Sequence, residues 1–558
     1  MVFAISSATP FSYQYLIRAY CVIMVFSSFD CFIRYFCFFV CNTQKADTIH
    51  SHRYINHLLF RIHLAKCFFS SPTPCSEILL ASSFSVILLY ASIRLMTGKQ
   101  KNIGLYIGML SGLIEAVYIL LQHYGLFESK HLIFNATGSF FNPALAGSFI
   151  ACSLCICIYF LTETLKKSNI LLLSIAAILL LYALILTDSR SGWMAAIAGC
   201  FYVVLNSAYK PVIWMKYHFK RSIILKIGCI ILAFSIIFLI YQYKKASADG
   251  RLFIWKCSIE MLKDKPLIGH GVGMFKEKYP YYQAAFFAKN QESQYADVAG
   301  SPSVPFNEYL SILTMQGLFG FILLIAILLS IFVYRPVSSS LQKQKGFLLT
   351  FCIFAFFSYP LSDLRLLLFL SFFIAISVDK SIVGVSNKKM QILAFPVLLF
   401  GLYYGIKTQS DYRELEDAFQ SQTSIHKEQY EKIKYDIILL RKYHFFIGSK
   451  VGNLNRIDLI KDYIELYPSP NGLCELGKSY KELNNFNQAE QSFILASNMN
   501  PSLVIPNYEL FLLYQEKGDI QNMKKIGEKV LSRKIKKEST ASIKMKAYIK
   551  NTIYKLSE

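Results

Sequence analysis

Long apolar runs fill most of the chain and stop near residue 407. A helix needs about 20 apolar residues to cross a bilayer. Runs of about that length, some shorter, occupy 77–96, 103–122, 143–162, 169–187, 191–209, 222–242, 317–334, 346–360, 364–379 and 390–406. Residues 12–41 are apolar enough to span but carry Arg18, Asp30 and Arg34, whose burial in lipid is costly unless they are paired. The segment 1–76 therefore reads either as a genuine first helix or as translated upstream sequence. The pattern predicts an all-α, polytopic helical membrane protein with about 10–11 spans over 77–406.

The connections sort by charge. Lys99 and Lys101, Lys166 and Lys167, then Lys210, Lys216, Lys220 and Arg221 mark every second loop as basic. Arg335, Lys343 and Lys345, and later Lys380, Lys388 and Lys389, continue the alternation. The positive-inside rule assigns these to the cytoplasm. The loops 123–142, 188–190, 243–305 and 361–363, and everything after 407, then face outward.

The tail, 407–558, has a helical pattern with a repeat. Leu473, Leu476, Gly477, Tyr480, Ala489, Phe493, Ala496 and Pro501 fit the tetratricopeptide template. Leu510, Tyr514 and Val530 repeat Leu476, Tyr480 and Ala496 at an offset of 34, with Gly518 and Asp519 in the inter-helix turn. Gly477 and Ala489 predict a close helix crossing. A water-soluble tetratricopeptide-like domain is expected, presenting a surface for an acceptor or a protein partner.

Composition removes other classes. Of 558 residues 54% are hydrophobic and only 17% charged, while the net charge is +23. Soluble proteins average about 25% charged residues, and 15% aromatic content is the opposite of a disordered chain. A soluble nucleic-acid binder is seldom so apolar. The 14 cysteines lie mostly in apolar runs. Cys152, Cys155 and Cys157 have no His or carboxylate nearby in sequence, so packing rather than a metal is expected.

Four segments on the outward side carry polar chemistry. Gly138–Pro143 leads into a span, with Asn142 as a helix cap and Pro143 in the first turn. Thr187–Trp193 is a polar knot between two apolar helices, where Arg190 is either an anion site at a helix start or a snorkelling side chain beside an interfacial Trp193. Arg251–Lys263 reads as an amphipathic helix along the membrane surface, with Arg251 at its N-terminal end and Trp255 within it. The turn Pro266–Phe275 follows, holding His270, and then Tyr279, Tyr281 and Tyr282, which are sugar-stacking rings or plain interfacial aromatics. The fourth segment holds Phe306, Asn307, Glu308 and Tyr309 and runs through Gly317 into a span. Glu115 reads either as a functional intramembrane carboxylate or as one simply hydrated near the outer end; Asp363 and Arg365 read as a mutual pair.

Segments two to four, in this order in a many-helix protein, resemble the O-antigen ligase family over roughly residues 130–380. That superfamily also holds O-antigen polymerases and protein O-oligosaccharyltransferases, and the helical-repeat tail resembles members from the Bacteroidetes. The resemblance implies a GT-C-like glycosyltransferase of the bacterial inner membrane, with site and tail facing the periplasm. It implies transfer of a glycan from a polyprenyl diphosphate to an acceptor hydroxyl, in lipopolysaccharide or related polysaccharide biosynthesis, without metal or other cofactor. Arg190 and Arg251 match the positions that hold the diphosphate, with Ser189, Trp255, Asn307 and Tyr309 supporting them. The family commonly has His where this chain has Phe306, which cannot accept a proton. Glu308 ranks first as the alternative base and His270 second. A dissociative transition state needing no base, or a loss of transfer activity, would also fit. A lipid-linked-glycan transporter and a non-catalytic membrane-anchored scaffold are the alternatives of other classes.

Overall fold

The computed structural model describes residues 96–207, 241–377 and 453–556, apart from 130, 132, 133, 141, 272, 335, 337 and 534–538, together with scattered positions between 89 and 94 and between 227 and 239. The expected span 390–406, most of 77–96 and of 222–242, and the segment 1–76 lie outside the described residues. The protein is all-α. In chain order the helices are α1 (Gly98–His123), α2 (Pro143–Glu163), α3 (Lys167–Leu186), α4 (Arg190–Leu205), α5 (Lys245–Asp264), α6 (Phe275–Lys289), α7 (Glu308–Val333), α8 (Ser339–Phe357), α9 (Leu364–Ile376), α10 (Asn453–Leu466), α11 (Pro470–Glu482), α12 (Phe486–Met499), α13 (Val504–Lys517), α14 (Ile520–Ser532) and α15 (Thr540–Lys555). The described residues form two compact units. One holds the chain up to 239 together with 306–377, and the other holds 241–305 together with the tail.

In the first unit α1, α2, α3 and α7 are long and apolar enough to cross a membrane, while α4 and α9 are shorter apolar helices. Together they make this a multi-pass membrane protein. Helix α2 is the central post, because every residue from Leu145 to Cys157 is buried. Cys152, Cys155 and Cys157 lie inside this packing, and the Cys157 thiol donates to Leu173 O at 3.3 Å. Helices α4 and α8 meet through small residues. A methyl group at Gly199 would lie 1.7 Å from Thr350 Oγ1, and one at Gly346 would lie 2.6 Å from Val203 Cγ2. Such close backbone approach drives helix association in lipid, where burial in hydrocarbon offers no gain.

The connections gather at two ends of this unit. At one end Tyr159 shares a hydrogen bond with Ser340 at 2.6 Å, and Lys343 pairs with Glu163 at 2.6 Å. The alternation of basic connections places Lys343 and Lys345 in a loop. Both are in fact buried inside α8, and Lys345 donates to carbonyls of Phe332 and Tyr334. The segments 137–142, 187–189, 306–308 and 359–363 meet at the opposite end. Helix α7 begins nine residues before the apolar run at 317 and is broken at Gly317, whose φ of 69° and ψ of −169° are not helical. A side-chain-bearing residue would be strained there.

The second unit departs from the division at residue 406, because the loop 241–305 belongs with the tail. Helix α6 packs against α12, and Ala284 is buried in the tail's own core. Within the tail, α11–α12 and α13–α14 are antiparallel pairs. Their starts, Pro470 with Val504 and Phe486 with Ile520, are each 34 positions apart. Gly477 meets the Phe493 ring so closely that an added methyl would lie 2.5 Å from it, and Gly518, at φ 71°, caps α13.

Candidate functional site

The polar end of the membrane unit is built around two straps. The first ties the 137–142 segment to α1 and α9. The Glu115 carboxylate accepts Ser139 N–H at 2.6 Å and Ser139 Oγ–H at 2.8 Å. Gln122 Oε1 accepts the N–H groups of Thr137 and Gly138 at 3.0 and 2.6 Å, and its amide donates to Gly138 O at 3.0 Å. From the other side Arg365 donates to Ser139 Oγ at 2.6 Å and pairs with Asp363 at 2.9 Å. Its guanidinium lies 3.4 Å from the centre of the Phe140 ring. Glu115 is thus the partner of a loop, and the expected Asp363–Arg365 pair extends into a four-residue chain. Gly138, at φ 59°, leaves no room for a side chain: an added methyl would sit 1.9 Å from Glu115 Oε1. Gly138→Val should therefore cost on the order of 1–3 kcal/mol or more and lower the melting temperature of the purified protein. Gly125→Val, at φ 76° in open space, should cost less, and equal losses would mean that the Glu115 contact contributes nothing.

The second strap centres on the 359–363 turn. Asn142 Oδ1 caps α2 by accepting Ala144 N–H at 2.8 Å, and its amide donates to Tyr359 OH at 2.6 Å. The Phe306 ring meets Tyr359 edge-on at 5.2 Å. Glu308 is buried, and its Oε1 accepts Leu361 N–H at 2.8 Å. Asn307 caps α7 through Leu310 N at 3.0 Å, and Tyr309 OH donates to Cys352 O at 3.0 Å. Asn307 and Tyr309 are therefore supports for the start of α7.

Arg190 is the first residue of α4. Ser189 caps that helix by accepting Gly192 N–H at 3.2 Å. The knot is pressed onto α2, where a methyl on Gly147 would lie 2.5 Å from Ser189 Cβ. Trp193 is not simply a headgroup anchor, since its Nε1–H donates to Leu184 O at 3.0 Å within the α3–α4 hairpin. Asp188 and Phe306 have φ of 52° and 54°, and Asn484 in the tail is the other described non-glycine residue with positive φ. Asp and Asn tolerate this region, but a bulky Phe does not. Phe306 is thus a strained residue directly before the Asn307 cap, and strain of that kind concentrates at functional sites.

The second unit carries Arg251 and His270. Helix α5 starts at Lys245, so Arg251 lies in its second turn and not at its N-terminus. Backbone N–H groups there are bonded within the helix, so the helix terminus adds nothing to an anion site at Arg251. The apolar face of α5 is also not left to a membrane surface. Phe253, Cys257 and Met261 are buried, and Phe253 packs on Phe286, Phe287 and Tyr295 at 5.0–5.1 Å. Burial pushes the Cys257 thiol up to about 12. Trp255 Nε1–H donates to Pro305 O at 2.9 Å and so fixes the end of the loop. His270 Nε2 lies 2.7 Å from Met261 O. A carbonyl only accepts, so Nε2 carries the hydrogen and Nδ1 holds the basic lone pair of the neutral ring. Tyr279 is buried and donates to Gln283 at 2.8 Å, which removes it as a sugar-stacking ring, and Tyr282 OH is bonded to Asp264. Sequence reasoning missed Gln122 and Ser139, whose bonds within this strap run between positions 15 or more apart.

The family described as O-antigen ligase matches residues 175–325. No curated protein matches the chain. The family match contains the Thr187–Trp193, Arg251–Phe275 and Phe306–Gly317 segments and excludes Gly138–Pro143. It supports a place in the O-antigen ligase superfamily and a membrane glycosyltransferase-like role in polysaccharide biosynthesis, acting in general terms on a lipid-linked glycan donor and an acceptor.

Proposed function

We propose that the protein transfers a glycan from a polyprenyl-diphosphate carrier to an acceptor hydroxyl on the periplasmic side of a bacterial inner membrane, in the manner of an O-antigen ligase. The observation that carries this reading is the family match, which holds all three motif segments of residues 175–325 and with them both arginines. The leaving group is a diphosphate, whose charge must be held as the anomeric C–O bond breaks. Arg190 and Arg251 supply permanent charge and forked donors for it, and at Arg190 the start of α4 adds its own N–H groups. Glu308 takes the acceptor proton through the oxygen not engaged by Leu361. Ser189, Asn307, Tyr309 and Trp255 hold these groups through the caps and hydrogen bonds described above. No step requires a metal or other cofactor. The tail is read as a tetratricopeptide-like domain.

A strain lacking the chain should accumulate carrier-linked glycan and lose one class of surface glycoconjugate. Mass spectrometry of the missing conjugate then distinguishes ligation to a lipid core, polymerisation and protein glycosylation. Unchanged carrier and conjugate pools would end this reading.

A further inference from the structure

The tail's surface around the C-terminal end of α12 is already occupied by the chain's own loop. Gln283, in the middle of α6, is 1% exposed. Its amide donates to Gly300 O at 2.8 Å and to Met499 O, and its Oε1 accepts Tyr279 OH. One buried amide therefore joins α6, the end of the loop and the last turn of α12 with its hydrogen-bonding capacity largely used. Arg533, at the end of α14, makes a second bridge. Nη1 donates to Pro501 O and Nη2 to Gln291 O, each at 3.0 Å. Ser502 Oγ adds a bond to Ala299 O at 3.4 Å, and Lys276 lies 4.8 Å from the centre of the Tyr467 ring. These contacts fall within and after α6. Helix α6 in turn backs the buried face of α5 through Phe286 and Phe287, and Tyr282 sets the edge of the His270 ring at 5.9 Å.

We infer that the tail is the seat of the outer loop, with Gln283 and Arg533 as positioning residues that fix Arg251 and His270 by way of α6. The tail's partner on this surface is then the loop itself, and an external acceptor or protein must use another face. The functional half of this inference rests on the reading of Arg251 given above; the structural half does not. Bound groups must be held to within a fraction of an ångström, and misplacement by about 1 Å costs on the order of 100-fold in rate. A buried amide lost from such a junction leaves two carbonyls without a donor.

The test uses the purified full-length chain in lipid nanodiscs, with hydrogen exchange and transfer from a polyprenyl-diphosphate glycan as paired readouts. Gln283→Ala and Arg533→Ala should raise amide exchange over 275–300 and leave α13 unchanged. They should lower turnover by about 10- to 100-fold, with a smaller change in donor KM. Arg533→Lys should fall between wild type and Arg533→Ala, because an ammonium cannot reach both carbonyls as a fork does. Lys525→Ala, on the exposed side of α14, should change neither readout. Unchanged exchange over 275–300 in both alanine variants overturns the inference, and raised exchange with normal turnover overturns the positioning role. If Arg251→Ala itself transfers normally, the role given to Arg251 in the proposed function falls, and the exchange data alone decide whether the tail seats the loop.

Discussion

Alanine at Arg190 or at Arg251 is expected to lower glycan transfer by about 10²–10³-fold, the usual loss when one preorganised charge stabiliser is removed from a transition state. Carrier-linked glycan should accumulate in parallel. The reason is the charge that develops on the carrier diphosphate as the glycosidic bond breaks, which a fixed positive charge holds more strongly than a neutral donor. Lysine should recover part of the activity at each position: it restores the charge but not the planar fork that meets two phosphate oxygens. Arg190 should be the more sensitive, because it opens α4 on a Ser189 cap pressed against α2 and so acts beside fixed N–H groups. Arg251 sits in the second turn of α5 and contributes a side chain alone. Both arginines are half-buried, so protein amount and melting temperature, measured in all four variants, separate loss of the charge from loss of the fold. Assay of purified variants with a polyprenyl-diphosphate glycan checks this, and near-normal transfer in both alanine variants would rule out the mechanism.

The sequence made the long elements legible because burial in lipid demands long apolar runs. The runs at 103–122, 143–162 and 169–187 reappear as α1, α2 and α3 with ends displaced by a few residues. What the run-length rule could not see was polar helix. Residues 308–316 join α7 across the break at Gly317, and Lys343 and Lys345 are absorbed into α8 because Glu163 and two backbone carbonyls satisfy them. Helix α5 likewise extends six residues before Arg251, which moves that arginine off the helix terminus. The candidate site shows the same limit. Its residue types were visible in sequence, and Glu115, Asp363 and Arg365 stood out as charges near spans. Their joining through Ser139 links positions 24 and 226 residues apart, and nothing local encodes that. The docking of 241–305 on the tail was hidden for the same reason. Gln283 reads as an ordinary polar residue until Met499, 216 positions away, supplies its carbonyl.

Glu308→Gln separates a proton acceptor from a structural one at the deprotonation of the acceptor hydroxyl. The substitution keeps an oxygen for Leu361 N–H, now bonded at 2.8 Å, and so keeps the 359–363 turn in place over the start of α7. It removes the basic lone pairs, and loss of a general base costs typically 10²–10⁴-fold. The glutamine variant should therefore be present at wild-type level, melt normally and transfer poorly. Glu308→Ala should fail on both counts. It strands a buried N–H, at about 1–3 kcal/mol, and loosens the turn that also carries Tyr359 against the Phe306 ring. The pair of variants matters because Phe306 occupies the position where a histidine base is expected from the resemblance, so the proton must go elsewhere or be released late. If Glu308→Gln transfers normally, the carboxylate serves only as the acceptor for Leu361, and His270 becomes the candidate through Nδ1, with Nε2 held by Met261 O. His270→Ala in the same assay would then show the loss. Normal transfer in both variants would point to a bond that breaks before the acceptor is deprotonated, with Arg190 and Arg251 holding the departing diphosphate.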